Sequence, residues 1–189
     1  MAAAMTTDMR IPAESGLYLS LPDDADVPNI VDACQDPEIQ RFTRVPSPYR
    51  AADARDFVES CRVAVDAGSG LGLVVRDGSG RLLGSCGLVS IDWQDGRGKL
   101  GYWVAPWARH QRVATRAGRA VCRWAFNVAG LERLEQETVA TNDGSNAVAA
   151  RLGFVHEGTL RAAAASREPA EGTVRLDVKV WGLLPAELE

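Results

Sequence analysis

Residues 99–116 read Lys-Leu-Gly-Tyr-Trp-Val-Ala-Pro-Trp-Ala-Arg-His-Gln-Arg-Val-Ala-Thr-Arg, and the change of character along this stretch decides the fold. Lys99–Val104 is apolar and aromatic enough for a strand, and Pro106, which has no backbone donor, stops sheet pairing beyond it. From Val113 onward the apolar residues Val113, Ala117, Ala120, Val121, Trp124 and Val128 recur at helical spacing, which predicts a helix of about four turns. Arg112, Arg116 and Arg119 fall in the first turns of that helix, with Arg109 just outside. Cations there oppose the helix macrodipole, at a cost of roughly 0.3–1 kcal/mol each unless something negative compensates. The pattern admits two readings. The orphan N–H groups of the first turn and the arginines together make a phosphate or pyrophosphate cradle. Alternatively, Arg112, Arg116, Arg119 and Arg123 line one solvated face opposite the apolar one.

Strands and helices alternate on either side of this junction. Leu17–Leu21 is a short strand, and Asp23, Asp24 and Asp26 supply acidic helix-start residues before Ile30, Val31 and Cys34. Ala54, Phe57, Val58, Cys61 and Val65 predict a helix over Ala51–Ala67. Leu71–Arg76 and Arg81–Ile91 are strands joined through the glycines of Asp77–Gly80. Beyond the long helix, Leu134–Ala140 reads as a strand, Asn146–Leu152 as a short helix, and Val155–Leu160 and Thr173–Trp181 as strands. The small, polar segment Ala162–Gly172 reads as a loop. This order predicts one α/β domain over residues 17–189 with a mixed sheet, preceded by a loose tail over residues 1–16.

Composition excludes several function classes. With 25 acidic against 21 basic residues and a net charge of −4, the chain lacks the basic excess of a protein that binds nucleic acid through its overall field. Its longest apolar runs are broken well short of the roughly 18 residues a membrane span needs. Residues 1–16 lack the basic start and apolar core of a secretory signal, so a cytoplasmic protein is expected. Cys34, Cys61, Cys86 and Cys122 are widely spaced among apolar neighbours, as buried free thiols would be. With only His110 and His156 to add to them, no metal site is expected.

Several short motifs, taken in order, resemble the GCN5-related N-acetyltransferases, and more narrowly their RimJ/RimL-type branch. They are Asp36-Pro37-Glu38-Ile39, Leu83-Gly84-Ser85-Cys86-Gly87-Leu88, Gly101-Tyr102-Trp103-Val104-Ala105-Pro106, Ala114-Thr115, Trp124-Ala125-Phe126, Asn142-Asp143-Gly144-Ser145-Asn146, Leu152-Gly153-Phe154, Glu157-Gly158-Thr159-Leu160-Arg161, and Asp177 within Leu176-Asp177-Val178. The resemblance implies a splayed mixed sheet of about six to seven strands flanked by about four helices. Acetyl-CoA would enter where the strand ending at Val104 parts from Leu134–Ala140. It further implies that backbone groups of Trp103 and Val104 pair with the pantetheine arm. N–H groups along Arg109, His110, Gln111, Arg112, Val113, Ala114 and Thr115 would hold the pyrophosphate, Asn142 would contact the cofactor, and Ser145 would protonate the leaving thiolate. The implied acceptor is a primary amine, either a protein or peptide N-terminus or a small molecule.

Structural roles stand beside two of these assignments. Asn142 suits a loop amide that satisfies local backbone, and Ser145 suits the N-cap of a helix beginning at Asn146. The phosphate loop departs from the family pattern, because His110 and Arg112 stand where glycines are usual. Either Arg112 keeps helical angles, pointing away or adding a phosphate contact, or the groove is altered and the chain is a CoA-binding or protein-interaction module without transfer activity. Lys99 stands where the branch often carries Glu, so a general base is sought among Glu135, Glu137, Glu157, Asp177 and His156, none of them favoured by sequence. An exposed strand such as Thr173–Trp181 could pair two copies as a homodimer.

Overall fold

The computed structural model describes residues 5, 6, 8–167 and 174–188. Among the described residues, eight strands form one sheet in the order β1-β2-β3-β4-β5-β6-β8-β7. They are β1 (Arg10–Pro12), β2 (Tyr18–Ser20), β3 (Leu71–Arg76), β4 (Leu82–Asp92), β5 (Arg97–Val104), β6 (Arg133–Val139), β7 (Val155–Ala165) and β8 (Arg175–Leu183). Five α-helices among the described residues flank it: α1 (Val27–Cys34), α2 (Pro37–Phe42), α3 (Ala51–Asp66), α4 (Val113–Asn127) and α5 (Asp143–Arg151). The mixed, splayed α/β architecture matches the expectation, with one strand and one helix more than its upper figures.

Apolar side chains gather on both faces of the sheet. Val113, Ala117, Val121 and Trp124 of α4 join Leu88, Leu100 and Leu134 on one face. Val27, Ile30, Ile39 and Val58 of α1, α2 and α3 join Val74 and Leu82 on the other. Burial of the Val, Leu and Ile side chains among them is worth about 1.5–3 kcal/mol each, and it sets which way the strands face.

All strand pairs are antiparallel except one. β5 and β6 run parallel and pair over three positions only, Arg97 with Arg133, Gly98 with Leu134 and Lys99 with Glu135. β5 stays paired with β4 as far as Val104 opposite Gly84, while β6 follows β8 as far as Val139 opposite Val178. The two central strands therefore diverge beyond Lys99 and Glu135, which opens the expected gap in mid-sheet.

Several expectations need correction. Arg10–Pro12, inside the stretch read as a tail, pairs with β2, and Met9 and Ile11 are buried in the core. Ala162–Ala165 belongs to β7 rather than to a loop; residues 168–172 of that loop, and residue 173 of the strand expected after it, lie outside the described residues. β8 is flanked by β6 and β7, so it presents no free edge for a partner; the sheet edges are β1 and β7. Among the described residues, no helix is long and apolar enough to cross a membrane, and no group of His, Cys, Asp or Glu could hold a metal ion.

Candidate active site

The loop after β5 is held from two sides. Trp107 donates its indole N–H to the Leu82 carbonyl at 2.9 Å. Arg109 forks onto the Asp36 carboxylate at 2.5 and 3.2 Å. Asp36 also caps α2, accepting the N–H groups of Glu38 and Ile39 at 3.0 and 3.1 Å. Burial alone would raise the Asp36 pKa, but the guanidinium and the two backbone donors more than offset it and hold the carboxyl below its usual value. The Arg109 side chain is thus engaged by protein, and its N–H donates to the Pro106 carbonyl at 3.5 Å, so the expected phosphate contact from Arg109 is corrected and the donors left in the loop begin at His110.

His110 and Arg112 both adopt left-handed backbone angles, with φ of 60° and 56°. The expectation of helical angles at Arg112 is therefore corrected: with ψ of 24° it is the left-handed residue immediately before α4. The loop keeps the conformation that glycine would adopt freely, at a steric cost of about 1–2 kcal/mol per non-glycine residue. It leads into an uncapped helix start. No side chain caps α4, and its first intrahelical bond is Arg116 N–H to the Arg112 carbonyl, so the N–H groups of Val113, Ala114 and Thr115 have no partner within the helix. These donors lie at the positive end of a 15-residue helix, which suits a diphosphate.

The other arginines share one side of α4, with Arg112 and Arg123 exposed and Arg116 and Arg119 half-buried, as the solvated-face reading expects, and Arg116 and Arg119 have protein partners. Arg116 donates to the Gln111 carbonyl, and Arg119 reaches Glu14 at 3.3 Å and the Arg151 carbonyl at 3.4 Å. Arg116, Arg119 and Arg123 line a groove of about 670 Å³ whose opposite wall is Met9–Glu14.

Across the gap, α5 begins one turn earlier than its sequence suggests. Asn142, not Ser145, is the N-cap, and its Oδ1 accepts the Ser145 N–H at 3.0 Å. The structural role considered for Asn142 is therefore observed, and the Ser145 hydroxyl is released from capping. That hydroxyl lies 2.8 Å from the Tyr102 phenol oxygen, and the Gln136 amide donates to both oxygens at 3.3 and 3.4 Å. Burial pushes the Tyr102 phenol up to about 12, although its bonds to Ser145 and Gln136 pull the other way. Gln136 is a site residue that sequence reasoning missed. Its signal is the alternation of Leu134, Gln136 and Thr138 along one strand, which places two polar side chains on a buried face.

A buried chain fixes α5 against the sheet. The Trp181 indole donates to Thr138 Oγ1 at 2.9 Å, the Thr138 hydroxyl donates to Asn146 Oδ1 at 2.7 Å, and the Asn146 amide donates to the Ala140 carbonyl at 3.0 Å. Ser145 is the immediate neighbour of the anchored Asn146, so its position relative to β6 is set by this chain.

The candidate bases are mostly committed elsewhere. Glu135 and Glu157 bind Arg133, which lowers the Glu157 pKa and so its basicity. Asp177 accepts the Ala162 N–H at 2.8 Å, and His156 packs against the Trp181 ring and meets Thr159. Glu137 pairs with Lys99 at 2.7 Å, an ion pair from the last β5 residue paired with β6 to the β6 residue two beyond the last one paired with β5. All four cysteines are free and buried, and desolvation raises every thiol pKa, so none is a ready nucleophile.

Comparison with known proteins agrees with this geometry. The chain is 25% identical over 166 residues to the uncharacterized N-acetyltransferase p20 of Bacillus licheniformis, covering 87% of this chain and 89% of that one. Its fold matches RimL, a ribosomal L7/L12 alpha-N-protein acetyltransferase solved with coenzyme A, with a TM-score of 0.82 at 20% identity over 93% of this chain and 98% of that one. It also matches Mycobacterium smegmatis RimJ, solved with a CoA disulfide, with a TM-score of 0.78 at 20% identity over 95% and 88%. A family model described as an acetyltransferase (GNAT) domain matches residues 17–155, and the chain belongs to that family.

Proposed function

We propose that the protein transfers an acetyl group from acetyl-CoA to a primary amine, with a protein or peptide N-terminus as the favoured acceptor and a small-molecule amine as the other. The observation that carries this reading is the pairing of a mid-sheet gap with a left-handed loop and an uncapped helix start beside it, kept even though His110 and Arg112 are strained by the loop conformation. Main-chain N–H groups along His110–Thr115 suit the pyrophosphate, and the Val104 backbone, at the end of β5 beyond its pairing with β6, suits the amide-rich pantetheine arm, while the polar groups of Trp103 turn toward β4. The fold likeness to RimL and RimJ and the family membership support the donor; the RimL name, which specifies an alpha-amine of a ribosomal protein, supports the acceptor class.

Bound acetyl-CoA supplies an activated acetyl thioester. Around it the chain orients the acyl carbonyl through the Val104 N–H and holds a proton on the Ser145 hydroxyl for the sulfur that leaves. An α-amine, with a reference pKa near 7.7–8.0, is already partly neutral at physiological pH and can lose its proton to water without a dedicated base. Transfer is direct, since no buried cysteine offers an activated nucleophile.

A second reading is a CoA-binding or protein-interaction module without transfer; the side chains of His110 and Arg112 at the glycine positions favour it. Thiol release from acetyl-CoA, followed over a panel of N-terminal peptides and small amines, separates the two. The transfer reading predicts amine-dependent release that Ser145→Ala lowers about 100-fold, with acetyl-CoA affinity nearly unchanged. Acetyl-CoA binding with no release on any amine would leave only the module.

A further inference from the structure

The hydroxyl pair at the gap has a hydrogen-bond arithmetic that fixes which proton is free. Tyr102 Oη and Ser145 Oγ stand 2.8 Å apart, so one of the two donates to the other. The Gln136 amide, on a side chain only 2% exposed, approaches both oxygens and can give one hydrogen to each. A phenol is the more acidic hydroxyl and the better donor, and an aliphatic hydroxyl oxygen is the better acceptor, so the shared bond runs from Tyr102 to Ser145. Ser145 Oγ then accepts from both Tyr102 and Gln136, and its lone pairs are filled. Its own proton has to point away from both partners. The cost of this arrangement is visible: Gln136 Oε1 is buried with no hydrogen-bond partner among the described residues. Turning the amide over would satisfy that oxygen with hydroxyl protons and would remove the free donor.

We infer that Gln136 and Tyr102 are positioning residues that aim the Ser145 proton at the leaving sulfur, so that the direction of this hydrogen-bonded cluster, and not Ser145 alone, sets the efficiency of the acid step. The inference rests on the proposed acetyl transfer. In that step the amine nitrogen forms a bond to the acetyl carbon, the carbon–sulfur bond breaks, and the sulfur takes the Ser145 proton. The proton lost by the amine passes to water, and water returns one to Ser145. In this step Tyr102 and Gln136 act through Ser145 Oγ, the atom to which both are hydrogen-bonded.

The test is a double-mutant cycle on turnover with the wild-type fold verified by unfolding midpoint. Tyr102→Phe keeps the ring and removes one donor, and should lower kcat about 10-fold with acetyl-CoA affinity changed less than about twofold. In the Ser145→Ala background the same change should have no further effect. Gln136→Glu provides the second arm, because an ionised carboxylate only accepts and would draw both hydroxyl protons toward itself. Its kcat relative to wild type should fall at alkaline pH and recover as the buried carboxyl protonates on the acid side. Multiplicative losses in the cycle, or a Gln136→Glu to wild-type ratio that is flat with pH, would overturn the inference and leave acetyl transfer standing. Wild-type protein that releases no thiol on any amine would overturn both.

Discussion

The Arg109 guanidinium grips the Asp36 carboxylate through two hydrogen bonds, joining the loop that precedes α4 to the capped start of α2, 73 residues earlier. One carboxylate thus serves two elements far apart in the chain. Asp36→Ala should remove a helix cap and a charge-assisted pair together, costing about 2–3 kcal/mol in denaturant unfolding and loosening the loop enough to weaken acetyl-CoA binding. Asp36→Asn keeps the cap and should lose less.

The same pair makes an acid-side prediction. The Asp36 carboxyl is held below its ordinary value in the folded protein, so its contribution is fully present above the unfolded pKa near 3.9 and is lost as pH falls through the lower folded pKa. Below about pH 4 the unfolding free energy of the wild type should therefore drop more steeply than that of Asp36→Ala. Urea titrations at several acidic pH values measure the two slopes.

His110 and Arg112 hold left-handed angles without being glycine. His110→Gly and Arg112→Gly should each raise stability by about 0.5–1 kcal/mol, the relief of steric strain less the extra entropy of glycine in the unfolded chain. Thermal or denaturant midpoints report it directly.

Gly84 lies opposite Val104 in the β4–β5 ladder. A Cβ at this position would run into the Trp103 carbonyl and come within 3.1 Å of Val104 Cα. Gly84→Ala should therefore push β5 at the mouth of the gap, cost about 1–3 kcal/mol, and reduce acetyl-CoA affinity more than an equally destabilising change remote from the gap. Unfolding and calorimetric titration of the same preparations separate the two effects.

Thr138 both accepts from Trp181 and donates to Asn146 in the buried chain that anchors α5. Thr138→Val is close in shape and leaves an indole N–H and an amide oxygen unpartnered, so it should cost about 2–3 kcal/mol. Because Ser145 moves with α5, turnover should fall as well, and to a greater extent than acetyl-CoA affinity.

The long elements were legible because periodicity is a strong signal over many residues. The apolar stripe of Ala51–Ala67 gave α3 to within a residue, and residues 99–116 gave β5, its stop and α4. Short or shared features were harder. β1 is three residues ending in proline, and its one cue is the alternation of Met9 and Ile11 with Arg10 between them. The start of α5 was displaced because Asn142 and Ser145 are both good caps, and only the tertiary setting selects Asn142. Left-handed angles at His110 and Arg112 cannot be read from residue type, which favours the opposite; motif likeness, not propensity, pointed to that loop. Gln136 belongs to no motif, and its role arises where β6 stops pairing with β5, a property of the sheet rather than of the local sequence.

Whether the gap between β5 and β6 and the loop before α4 form a working acetyl-CoA site is tested most directly by calorimetric titration of acetyl-CoA into the purified protein, beside its Arg112→Gly variant. A working site predicts a one-to-one complex with Kd on the order of micromolar for the wild type, because the backbone cradle already has its ligand-ready angles. No binding by the wild type, with binding restored by glycine at position 112, would contradict it and show that the arginine blocks the groove.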